Sequence, residues 1–129
     1  MNALTECLRK VLEQQPGIRQ ALLFGSLASG RAHAGSDLDL AVEAERPLTA
    51  REKANLIAAL AAATGRPVDL VDLKTAGEPL LGQILKNGVR ILGSTDDQAA
   101  LLYRHLLDNA DFQPCVDRIL RERRQAWIG

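Results

Sequence analysis

Apolar positions recur along the chain with two alternating periods. Leu4, Leu8, Val11 and Leu12 fall on one helical stripe within residues 2–14, and Pro16-Gly17 ends that helix. The run IRQALLFG is apolar and too short for a helix, so it predicts a buried strand stopping at Gly25. Residues 37–43 predict a second strand. RPLTAREKANLIAALAAATGRP returns to helical spacing and carries its own boundaries. Thr49 and Glu52 stand at capping-box separation, Gly65 supplies a C-terminal stop and Pro67 forbids continuation. VDLVDL, from Val68 to Leu73, is the third predicted strand; a helix from about Pro79 to Lys86 ends at Asn87-Gly88, and VRIL adds a brief edge strand. Beyond Gly93 the pattern is helical, with Leu101, Leu102, Leu106 and Leu107 in one segment and Phe112, Val116, Ile119 and Leu120 in the next.

This order predicts an α/β (α+β) fold, a small mixed sheet flanked by helices with further helices at the C-terminal end. With 129 residues, 47% of them hydrophobic, the chain suits one domain with an ordinary core and has no room for a second, substrate-binding domain. We place that domain over residues 1–129, its core at about 15–93 and a helical segment at about 95–128.

Charge and composition exclude several classes of function. Lys plus Arg equals Asp plus Glu at 16 each, so no global field draws the chain to nucleic acid or membrane, and aromatic residues, at 3%, are too few for a stacking platform. No apolar run approaches the roughly 18 residues that span a bilayer, and no basic-then-apolar leader opens the chain. The expectation is a soluble, cytoplasmic protein without strong direct nucleic-acid binding. Cys7 and Cys115 have neither disulfide nor metal spacing and are expected to be reduced, semi-buried thiols.

One strand does not read as plain core. In LLFGSLASGRAHAGSDLDLAVE, Asp37 and Asp39 stand two residues apart, which in a strand puts both on one face with Cα atoms about 6.6 Å apart, while Leu38, Leu40 and Val42 face the core. Two carboxylates so close repel, and burying them costs several kcal/mol unless cations compensate. No Lys or Arg lies within the strand. Divalent ions such as Mg²⁺ take oxygen ligands, and two of them about 3.5–4 Å apart can share such a pair. Upstream, Gly25 closes a strand and Ser26 opens a short helical turn, presenting backbone N–H groups and a hydroxyl suited to phosphate. Ten residues separate Ser26 from Asp37, enough for a short helix and a return loop that bring phosphate and metal into one cleft. A Walker A loop is excluded: Gly25 and Gly30 have its spacing, but Arg31 and Ala32 stand where Lys and Ser or Thr belong.

GSLASGRAHAGSDLDLAV resembles the signature of the DNA polymerase β-like nucleotidyltransferase superfamily, Gly-Ser, ten residues, Asp-x-Asp. In so short a chain it is most similar to the minimal nucleotidyltransferases of the MntA type. The likeness is sharp from Leu22 to Val42 and looser through Leu73. It implies transfer of a nucleoside monophosphate from a triphosphate, ATP above all, to a hydroxyl, with release of pyrophosphate. Gly25 and Ser26 would hold the triphosphate, and Asp37 and Asp39 would ligate two Mg²⁺. The family's third carboxylate lies on a later strand, where Asp69 and Asp72 are the candidates. Three residues apart on a strand they face opposite sides, so only one can join the site. Asp69 follows the strand-opening Val68, as the family's third acid does, and is assigned as metal ligand and candidate general base. Ser36 is read as orienting the loop beside the nucleotide. One departure stands out: many relatives carry Arg or Lys before the glycine of the turn, where this chain has Ser29 before Gly30, with Arg31 as a substitute.

The resemblance further implies a partner, a small helical HEPN-type ribonuclease toxin encoded nearby, on which a Tyr would be adenylylated in a hetero-oligomer. RILRERRQAWIG puts Arg118, Arg121 and Arg124 along one helical edge with Trp127 near its end, a candidate docking surface. Two other readings stand beside this one: a catalytically weak antitoxin that acts by binding, and a transferase acting on a small molecule or RNA end. His33, His105, Tyr103 and Cys115 are assigned no catalytic role.

Overall fold

A computed structural model describes residues 3–30, 36–108 and 121 of the chain. These form α1 (Ala3–Glu13), β1 (Ile18–Phe24), α2 (Gly25–Ser29), β2 (Leu38–Ala44), α3 (Ala50–Thr64), β3 (Val68–Asp72), α4 (Leu80–Asn87), β4 (Val89–Leu92) and α5 (Thr95–Asp108). VRIL is thus a strand. The predicted helix over 112–120 and the Arg118, Arg124 and Trp127 edge lie outside the described residues, as does Cys115.

The four strands make one sheet in the order β3-β2-β1-β4. β1 pairs antiparallel with β2 and with β4, whereas β2 and β3 run parallel, so the sheet is mixed as expected. Parallel neighbours need a long crossover, and α3 supplies it. Its ends are fixed by local chemistry. The Thr49 hydroxyl accepts from the Glu52 N–H at 3.1 Å, the Glu52 carboxylate accepts from the Thr49 N–H at 2.9 Å, and Gly65 takes a left-handed φ of 70° at the other end.

That cap carries a pH dependence. The Thr49 N–H, and after it the Arg46 guanidinium at 2.9 Å, hold the Glu52 carboxyl down at about 2 from an ordinary 4.5. Between those values the unfolded chain binds more protons than the folded one. The contribution is therefore whole above about pH 4.5 and lost as the pH falls to about 2. Glu52→Gln should flatten the stability curve across this window, as denaturant titrations of variant and parent would read.

Both faces of the sheet are covered. On one, Leu8 and Leu12 of α1 and Leu56 and Leu60 of α3 pack on Leu23, Leu38, Leu40, Val42, Leu70 and Ile91. On the other, Leu81 and Ile84 of α4 and Leu101 of α5 pack on Leu22, Ala41 and Leu73. Each fully buried Leu contributes about 1.5–3 kcal/mol, so this alternation holds the register of β2 firmly. The picture of β2 as one apolar and one acidic face is corrected here. Ala41 is fully buried under the second helical layer, and Glu43 is buried with hydrogen-bonding partners. Gln20 Nε2 donates to Glu43 Oε1 and to the Asp97 carbonyl, both at 3.0 Å, tying β1, β2 and α5 together, and Lys74 Nζ lies 3.7 Å from Glu43 Oε2. The acidic character is confined to the start of the strand. Among the described residues no helix is long and apolar enough to cross a membrane.

Candidate active site

The chemistry gathers where β1 ends and β2 begins. The strand starts at Leu38, so Asp37, expected as its first residue, lies in the exposed approach just before it. That approach is held from the crossover side. Arg66 Nη1 donates to the Ser36 carbonyl at 3.0 Å and the Leu38 N–H donates to the Pro67 carbonyl at 2.8 Å, which fixes the backbone on either side of Asp37. Ser36 is itself buried. Arg66 escaped the sequence reading, because nothing in its local spacing tells which loop thirty residues upstream it will reach.

Asp39 is paired in register with Phe24 of β1 on one side and with Asp69 of β3 on the other. Residues directly opposite on neighbouring strands share a face, so Asp39 stands between an aromatic ring and a second carboxylate. Burial, then the charge of Asp69, then that of Asp37 push the Asp39 carboxyl above its ordinary value. Two further acidic groups therefore act on Asp39 at this edge. Asp72 does not join them. It points to the opposite face, where Oδ2 accepts from the Leu48 N–H and Oδ1 from the Lys74 N–H, each at 2.9 Å. Its two oxygens serve the loops at either end of α3 and β3.

Gly25 closes the site from the other side. Its φ is +72°, and a Cβ built on it would lie 2.1 Å from Asp39 Oδ2. Only a glycine allows both that turn and that approach. α2 follows at once, a helix of five residues with no side-chain cap at Phe24, so its first N–H groups and the Ser26 hydroxyl are available to a ligand. The Ser29 hydroxyl instead donates back to the Ser26 carbonyl at 3.2 Å, and Gly30 ends the turn in a left-handed conformation with φ 77°. Arg31 and His33 lie outside the described residues.

Gly25, Ser26 and Ser29 form one wall of a cleft of about 600 Å³, completed by Phe24 and, from α4, by Gln83 and Asn87. Local spacing carries no signal for the last two, since their place opposite Ser26 depends on how α4 packs. Residues set aside on sequence grounds do not line this cleft: the His105 imidazole pairs with Glu78 at the head of α4, Tyr103 is exposed on α5, and Cys7 Sγ lies 3.5 Å from the Ala63 carbonyl.

The donor set at the edge is all carboxylate oxygen, which suits a hard divalent cation and not a thiophilic one. Among the described residues no three acidic, histidine or cysteine side chains are close enough to cage an ion unaided. Magnesium commonly binds through one or two carboxylates plus substrate phosphates, so the residues fit an ion held jointly with a nucleotide.

A family model described as polymerase beta, nucleotidyltransferase matches residues 6–97. The protein adenylyltransferase MntA of Shewanella oneidensis is 32% identical over 111 residues, which cover 81% of this chain and 78% of that protein. Among solved structures, a chain of a toxin-antitoxin crystal structure with AMP-PNP superposes with a TM-score of 0.71 at 31% identity, covering 90% of this chain and 98% of the other. A chain from a complex of tri-AMPylated Shewanella oneidensis HEPN toxin with MNT antitoxin gives 0.66 at 28% identity, covering 91% and 96%.

Proposed function

The chain belongs to the polymerase beta nucleotidyltransferase family, and from that premise we propose that it is an adenylyltransferase antitoxin, moving AMP from ATP to a Tyr hydroxyl of a HEPN-type toxin in the cytoplasm. The observation that carries this reading is the acidic edge itself. Asp39 is held beside Asp69, within the field of Asp37, and against a glycine that leaves no space for a side chain. A carboxylate whose ionisation is opposed by burial and by two neighbouring acids has no structural use. It becomes favourable when cations and a phosphate tail arrive.

In this reading Gly25 and Ser26 hold the triphosphate through backbone N–H groups and the Ser26 hydroxyl. Ser36, anchored through its carbonyl to Arg66, orients the approach that carries Asp37. Asp37, Asp39 and Asp69 would hold two Mg²⁺ together with the nucleotide. Bound magnesium supplies positive charge that offsets the phosphates and lowers the pKa of a coordinated hydroxyl. The acceptor oxygen attacks the α-phosphorus as the bond from that phosphorus to the bridging oxygen breaks, and pyrophosphate leaves. Asp69, exposed at the rim, takes the proton of the acceptor hydroxyl. The Shewanella oneidensis relative, a protein adenylyltransferase, and the neighbour in complex with an AMPylated HEPN toxin support a protein acceptor.

The test incubates the protein with each labelled nucleoside triphosphate, Mg²⁺ and the helical protein encoded beside it. Label from ATP should pass to a Tyr of that neighbour. A tight complex with no label on the neighbour would refute the transferase and leave an antitoxin that acts by binding.

A further inference from the structure

The cleft beside the acidic edge has a chemistry of its own. Among the described residues that line it, Phe24, Gly25, Ser26, Ser29, Gln83 and Asn87, not one side chain is charged. Gln83 and Asn87 stand four residues apart on α4, so they share a helical face, and both are exposed. Neither carboxamide has a hydrogen-bond partner among the described residues, in contrast to Gln20, which is buried with two. Neutral carboxamides are a poor match for a polyphosphate, whose charge calls for cations or for clustered N–H donors. Each does offer one donor and one acceptor side by side.

Given the transferase reading, on which this inference rests, we infer that Gln83 and Asn87 read the base of the bound nucleotide and make the site selective for adenine. Adenine presents a donor, its exocyclic amine, flanked by ring acceptors, and a carboxamide can meet that amine and one acceptor together. Guanine sets two acceptors, its carbonyl and the neighbouring ring nitrogen, on the corresponding edge, which leaves the carboxamide oxygen facing a lone pair. Phe24 adds the aromatic residue against which a purine can pack, and the Ser26 and Ser29 end of the cleft leads through Gly25 to Asp39, where the phosphates belong. The placement divides the ligand: base against α4, the β- and γ-phosphates at the turn, and the α-phosphorus that joins them to the nucleoside at the carboxylates.

The experiment measures binding of ATP, GTP and inorganic tripolyphosphate, each with Mg²⁺, to the parent protein and to Gln83→Ala and Asn87→Ala by calorimetry. Both positions are exposed and helical, where Ala is well tolerated, and a thermal melt checks that each variant folds. The parent should bind ATP more tightly than GTP. Each substitution should weaken ATP roughly tenfold, the loss expected for one good base contact, and leave GTP and tripolyphosphate within about twofold. Equal losses for all three ligands would make these residues phosphate contacts and overturn the inference. Unchanged ATP binding in both folded variants would overturn it while leaving the transferase reading intact. Failure of the parent to bind any nucleotide would overturn both.

Discussion

Gly25→Ala should leave a folded protein that transfers AMP at least about 100-fold more slowly than its parent, the usual cost of displacing a reacting group by about 1 Å. The added Cβ would fall 2.1 Å from Asp39 Oδ2 and 2.9 Å from its Cγ, closer than atoms can approach. Asp39 cannot yield cheaply, because its backbone is clamped in register between β1 and β3. The side chain must rotate away or the turn must open. A left-handed φ of +72° adds about 1–2 kcal/mol for any residue with a Cβ. The variant should therefore melt somewhat below the parent yet cooperatively, with loss of rate far exceeding loss of stability. Initial rates of label transfer alongside circular-dichroism melts test this. Parental rates in the variant would mean that the contact between turn and carboxylate does not position the chemistry.

Asp39→Asn should separate activity from stability in the opposite sense. On the proposed reading Asp39 would hold a metal ion that meets the phosphates, and losing such a ligand costs several kcal/mol of transition-state stabilisation, so transfer should fall by at least about 100-fold. The unliganded fold should become more stable. The Asp39 carboxyl is pushed above its ordinary value by burial, by Asp69 and by Asp37, so across the raised interval the folded state binds more protons than the unfolded one. Its contribution to stability thus declines as the pH rises through that interval, and at neutral pH the whole penalty is present. The amide carries no such penalty and nearly the same shape. Melts at neutral pH without metal should rank the variant above the parent, and adding Mg²⁺ with ATP should reverse the order. A variant less stable than the parent without metal would show that the carboxylate has a structural partner in place of a poised charge.

Much of this was legible in the sequence because the devices involved are local. The capping box of Thr49 and Glu52, the stop at Gly65 and the apolar residues Leu38, Leu40 and Val42 each declare themselves within a few positions, and each is found as expected. The Gly-Ser turn and the two aspartates stood out because their types contradict a buried strand. What stayed hidden depends on pairing across the sheet. That Asp39 faces Phe24 and Asp69 follows from the register of β2 with both neighbours, and no spacing along one strand specifies it. That the predicted α4 and α5 cover this face of β2 was hidden for a related reason. Ala41 is small enough to pass for a solvent-facing residue, yet it is buried because α4 and α5 close over it. Arg66, Gln83 and Asn87 belong with these, since each acquires its place through tertiary packing alone.

The outermost position of β3 has one more consequence. Asp69 sits on a border strand attached through a single ladder, so its presence beside Asp39 certifies that this ladder has closed correctly. A slip of one residue would set Val68 or Leu70 against Asp39 and swing Asp69 to the far side. Such a molecule would lack the third acid beside Asp39 and, on the proposed reading, consume no ATP. A chain with that ladder misaligned would then be silent, and activity would report its pairing.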